Sequence, residues 1–167
     1  MKMEKQWKKQ GKEKFSLYIN GQLNISLLFP QKDNVNKALI EFQDRKFTFE
    51  KFGLSKTKAT LTDTNGQVIM DLKPEKWYSD VTMIEMGNRN YRIKTRNAPL
   101  VHYMLFEGEN QVLTYGLESK ESKPVLKIIT HQLDASPLLD ALMFILFYPV
   151  LLENVNDDLL MLLLLAS

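Results

Sequence analysis

The sequence predicts a mainly β (α+β) fold, an antiparallel β-barrel of about ten to twelve strands enclosing a C-terminal hydrophobic helix. Three observations predict it. Apolar residues recur with a period of two between Phe15 and Thr130. Turn dipeptides interrupt that pattern at short intervals, Asn65-Gly66 and Gly87-Asn88 most plainly. Beyond Ser136-Pro137 the chain becomes almost wholly apolar.

With 167 residues and 44% apolar content, the chain matches one domain able to enclose a core without metals or disulfides. It has no cysteine, which excludes disulfide frameworks, zinc-thiolate sites, iron–sulfur clusters and thiol nucleophiles. A net charge of +2 gives no basic excess of the kind that marks a nucleic-acid partner.

Residues 1–14 carry Lys2, Lys5, Lys8, Lys9, Lys12 and Lys14 against Glu4 and Glu13. They read as a basic, flexible leader, solvated and partly frayed. The competing reading is a basic arm that touches anionic lipid or a partner with Trp7 at the interface. The stretch from Phe15 to Phe29 is broken by Asn20, Gly21, Gln22 and Asn24, so it lacks the apolar run of a secretory signal. One barrel-like domain is expected over 15–167, with a helical tail at 136–167.

Strands are predicted at 14–19, 23–29, 38–42 and 45–52, the last with Phe47 and Phe49 on one face and Thr48 and Glu50 on the other. Next come 57–64 and 67–72 around Asn65-Gly66, which suits a type I′ turn, and 80–86 and 89–95 around Gly87-Asn88, which suits type II′. Strands 101–106 and 111–117 are joined by the loop Glu107, Gly108, Glu109 and Asn110, and a last strand runs over 125–130. So many short strands from one chain bury their edges in a barrel or a sandwich.

Ser136 as N-cap and Pro137 at the first helical position open a helix. Pro149 is expected to end or kink it, leaving 153–156 as a connection. The final helix, 158–166, runs Leu159, Leu160, Met161, Leu162, Leu163, Leu164 and Leu165 in unbroken order. A helix apolar on every face must be surrounded, by a curled sheet or by lipid. A bilayer span needs about twenty consecutive apolar residues. Joining the two runs would place Glu153, Asp157 and Asp158 at mid-membrane, at about 2.5–3.5 kcal/mol each. Enclosure by the chain's own strands is therefore the expected solution. Helices stacked outside a sandwich, a dimer that buries them, and membrane attachment through 137–166 remain the alternatives.

The segments Leu61-Thr-Asp-Thr-Asn-Gly-Gln-Val-Ile-Met70 and Asn90-Tyr-Arg-Ile-Lys-Thr-Arg96, with the leucine-rich end at 158–166, resemble the tubby C-terminal-like superfamily. That group includes the tubby proteins, the phospholipid scramblases and the LURP-one-related proteins. Over residues 15–167 the resemblance implies a closed barrel of about twelve strands threaded by a hydrophobic helix. It also implies a binding or scaffolding module with anionic phospholipid as ligand class. Two features depart from the pattern: an extra helix at 137–148 and a strand count marginal for twelve. No residue of the tubby phosphoinositide site maps onto this chain.

Catalytic combinations are sparse. His102 and His131 are the only histidines and read as packed or surface side chains. The Gly-x-Ser-x-Gly, P-loop and His-Glu-x-x-His motifs are absent. Glu107 and Glu109 sit in a turn and serve solubility, while Asp157 and Asp158 suit a helix N-terminus. The best recognition element is a basic row, with Arg92, Lys94 and Arg96 on one face of a strand, Tyr91 and Ile93 on the other, and Arg89 at the turn. Lys56 and Lys58 extend it if their strand lies near. The expectation is a non-enzymatic module, without catalytic residues, metal or cofactor, in the cytoplasm or at the membrane periphery. It would recognise anionic phospholipid or an acidic protein partner through Arg89, Arg92, Lys94 and Arg96. A carrier of a small hydrophobic ligand is the alternative.

Overall fold

The computed structural model describes residues 2–32, 34–97 and 99–154. Twelve strands follow one another in chain order: β1 (Lys5–Gly11), β2 (Lys14–Ile19), β3 (Gln22–Leu28), β4 (Lys37–Phe42), β5 (Arg45–Phe52), β6 (Lys58–Asp63), β7 (Val68–Pro74), β8 (Thr82–Met86), β9 (Arg89–Arg96), β10 (His102–Glu107), β11 (Asn110–Lys120) and β12 (Lys123–Thr130). Each pairs antiparallel with its neighbours in sequence, and the sheet curls into a nearly closed barrel. Among the described residues no ladder joins β1 to β12.

The interior is occupied by α1 (Pro137–Asn154), buried on every side from Leu138 to Ile145 and again at Phe147, Tyr148 and Leu151. Inward residues of the wall meet it. Trp7 stacks on Phe144 with ring centroids 4.2 Å apart, Phe29 stacks on Tyr148 at 4.7 Å, and Tyr103 meets Phe147 edge-on at 5.1 Å. An all-round apolar helix thus finds the all-round apolar wall it requires.

The helix opens as the sequence dictates, the Leu138 N–H donating to the Ser136 hydroxyl at 3.3 Å. Its end differs. The helix does not end at Pro149 but runs on to Asn154, into the expected connection at 153–156. Fully buried Leu151 ties the turn beyond the proline to the core, and the Asn154 amide donates to the Val150 carbonyl at 2.7 Å. The expected final helix at 158–166 lies outside the described residues, so the enclosed helix is the one read as extra.

The basic leader is also corrected. Residues 5–11 form β1, Trp7 is fully buried, and the segment is part of the wall. Trp7 and Lys5 point inward together, as alternation demands of residues two apart, so Trp7 is unavailable as an interfacial anchor.

Turn chemistry explains the remaining differences. Gly87-Asn88 forms the expected two-residue turn, with positive φ at Gly87 alone, as type II′ requires. The connection after Glu107 is tighter than expected, since Glu107 pairs with Asn110 and only two residues intervene. At Asn65-Gly66 only the glycine has positive φ, so the turn is not type I′. The Asp63 carboxylate accepts from the Asn65 and Gln67 N–H groups at 2.9 and 3.0 Å, and Asp63 N–H donates to the Gln67 carbonyl at 3.0 Å. This local network selects a three-residue loop with a bulge after Leu61.

Type I′ geometry appears instead at Gln43-Asp44, with φ of 52° and 59°, where Phe42 pairs with Arg45. Glutamine does not favour the left-handed region, and aspartate tolerates it less freely than glycine does. Replacing Gln43-Asp44 by Asn-Gly is expected to stabilise the protein by about 1 kcal/mol, read as a higher denaturation midpoint at unchanged slope.

Candidate functional site

The twelve-strand meander gives the barrel two ends. The β5–β6, β7–β8 and β9–β10 connections lie at one of them, together with the last turns of α1. Strand β9 climbs towards this end from its turn at Gly87-Asn88. Tyr91 and Ile93 face inward at 3% exposure, while Arg92 and Lys94 face outward.

Four residues at about 3.3 Å each separate Arg92 from Arg96, a row of roughly 13 Å. Among the described residues neither of these arginines nor Lys94 forms an ion pair. The Arg92 guanidinium reaches the Gly108 carbonyl only at 3.5 Å, and the Lys94 ammonium lies 5.1 Å above the Phe106 ring. Arg96 ends the strand, exposed, in register with His102.

Arg89 does not belong with them. Its guanidinium holds Glu107 in a fork of 2.8 and 2.6 Å, which lowers the carboxylate's pKa and raises that of the guanidinium. Lys58 stands on β6, with β7 and β8 between it and β9. Strand spacing puts that at about 14 Å, so it does not extend the row. Lys73 of β7 lines up with Arg92 through Met83, but it is drawn 3.6 Å from Glu85.

Beside the upper end of β9, the β7–β8 connection carries Trp77 at 92% and Tyr78 at 68% exposure; at the same barrel end, but with β7 and β8 between it and β9, the β5–β6 connection carries Leu54 fully in solvent. Trp77 and Tyr78 pack edge to face at 5.3 Å, with the Lys76 ammonium 5.8 Å from the tyrosine ring. The periodicity reading missed this tip, because apolar residues in turns follow no period. Their position between two strand-ending segments was the available signal.

The same end holds a cavity of about 280 Å³ between α1 and the inner face of the sheet. Lys51, Thr82, Thr95, Tyr103 and Leu146 are among its walls. At the opposite end lies a sealed polar cluster. Lys5 Nζ meets Asp140 Oδ2 at 2.8 Å, the Tyr115 hydroxyl donates to Asp140 Oδ1 at 2.9 Å, and Trp7 Nε1 donates to that hydroxyl at 2.7 Å. Burial pushes the Asp140 carboxyl up against the opposing pull of Lys5 and Tyr115, and burial with Asp140 pushes the Tyr115 phenol up. With Lys5 and Asp140 side chains 4% and 1% exposed, the cluster has no access for substrate and acts as a structural tie.

The histidines are apart. His102 lies across Gly116 with Nδ1 2.8 Å from the Leu100 carbonyl, and the His131 ring is 3.4 Å from the Thr114 hydroxyl. Comparison with known proteins adds nothing to this geometry: no family model, curated protein or solved structure matches the chain.

Proposed function

We propose that the protein is a non-enzymatic module that docks on anionic phospholipid surfaces through the β9 row and the neighbouring barrel end. One observation carries the reading: Arg92, Lys94 and Arg96, without acidic partners among the described residues, lead up to the exposed tip of Trp77 and Tyr78, at the barrel end that also exposes Leu54. Cations attract anionic headgroups at about 1 kcal/mol each near a membrane surface, and tryptophan and tyrosine favour the interface itself. An acidic protein surface would engage the cations but gives no reason for the solvated apolar tip. The twelve-strand barrel around an apolar helix supports kinship with the tubby-like group, whose ligand class is the same.

Vesicle co-sedimentation tests it. The unaltered protein is expected to bind phosphatidylserine-containing vesicles and not purely phosphatidylcholine ones. The R92A/K94A/R96A variant should lose affinity on the order of a hundredfold, from three cations at about 1 kcal/mol each. Equal binding to neutral and anionic vesicles removes the proposal. Trp77→Ala should weaken binding several-fold while leaving its salt dependence intact.

A further inference from the structure

Strand alternation puts Lys51 on the inner face of β5, two residues beyond Phe49, which is fully buried. Its side chain is half-buried and lines the 280 Å³ cavity at the barrel end. Among the described residues no carboxylate pairs with it. Burial alone holds its ammonium below the ordinary lysine pKa. Asp80, the acidic residue in the cavity lining, stands exposed at the rim without an ion pair to Lys51.

Apart from the charged residues Lys51, Lys56 and Asp80, the lining divides into two kinds. Thr57, Ser79, Thr82, Thr95 and Tyr103 bring hydroxyl groups. Ala59, Leu72, Pro74, Ile93 and Leu146 form an apolar wall. A half-buried cation without a counter-charge is unfavourable unless an anion joins it. Hydroxyls can donate to such an anion, and the apolar wall can cover a short hydrocarbon body.

We propose that this cavity binds a small amphipathic carboxylate, its charge on Lys51 and its hydrocarbon part against Leu72, Ile93 and Leu146. The volume limits the ligand to a short acid, because α1 already fills the barrel interior. The site is inside the barrel and separate from the outward β9 row, so it neither requires nor follows from membrane docking.

Calorimetric titration of the full chain with sodium hexanoate tests the assignment, with 1-hexanol and sodium phosphate as companions. Saturable hexanoate binding is expected, with both companions at least tenfold weaker. Lys51→Met should weaken hexanoate at least tenfold, whereas Lys51→Arg should retain most of it. Lys51→Met is also expected to melt about 2–4 °C higher, since it removes an unpaired, half-buried charge, which separates lost binding from lost folding. Absence of saturable hexanoate binding, equal binding by Lys51→Met, or phosphate binding as tight as hexanoate would each overturn the proposal. The R92A/K94A/R96A variant should bind hexanoate normally, so this assignment and the lipid reading fail separately.

Discussion

Asp140→Ala is expected to destabilise the protein by about 3–5 kcal/mol, because it strands the Lys5 ammonium in the core without a partner. At this chain length the melting temperature should fall by about 10 °C or more. The Tyr115 hydroxyl loses its acceptor as well, although it still accepts from Trp7. The control is the double variant K5M/D140L. It removes both charges and fills their space with hydrocarbon, so it should recover most of the loss. A double variant as unstable as Asp140→Ala would show that the ion pair itself, and not the stranded charge, accounts for the effect.

The reverse single change, Lys5→Met, carries a pH signature. Burial already raises the Asp140 pKa above its ordinary value of 3.8, and removing Lys5 withdraws the largest opposing influence. A carboxyl whose folded pKa exceeds the unfolded one favours the folded state below the unfolded pKa, and that contribution is lost as pH rises through the folded pKa. Lys5→Met should therefore melt at a higher temperature at pH 5 than at pH 8. A profile parallel to that of the unaltered protein would contradict the burial argument.

Deleting residues 1–11 is expected to abolish cooperative thermal unfolding, a larger effect than any loop truncation would give. Trp7 alone, fully buried and stacked on Phe144, accounts for about 3–5 kcal/mol by analogy with large-to-alanine changes in cores. The deletion also takes Lys5 from Asp140 and bares the edge of β2 along the register from Phe15 to Ile19. Circular dichroism and dye binding would report a compact but loosely packed state. A sharp transition close to that of the full chain would mean that β1 is dispensable.

Most of the sheet was legible because its information is local. Hairpin strands announce themselves by alternation and by their turns, and eleven of the twelve observed strands correspond to predicted ones. The missing strand, β1, was hidden by its lysines. Lys8 and Lys9 are only half-buried, but Lys5 is buried, and its partner lies 135 residues away. No local pattern reports such a pair. Continuation of the helix beyond Pro149 has a related cause, since burial of Leu151 is a tertiary effect that overrides a local penalty.

The candidate sites divide in the same way. The outward set Arg92, Lys94 and Arg96 followed from parity alone, but the capture of Arg89 by Glu107 depends on how the β8–β9 and β10–β11 turns stand beside each other. Lys51 shares the parity of Phe47 and Phe49, so its inward position was readable. What no sequence pattern could show was that, among the described residues, no carboxylate forms an ion pair with it.

The strictly sequential pairing of the strands has a consequence for the nascent chain. Each hairpin can form soon after it leaves the ribosome, yet the first strand meets Tyr115 and Asp140 only when almost the whole domain has emerged. Until then a half-built wall offers its apolar lining and its unpaired border to whatever is nearby. Synthesis therefore passes through a long vulnerable interval that ends when the plug arrives, and chaperone dependence should concentrate there.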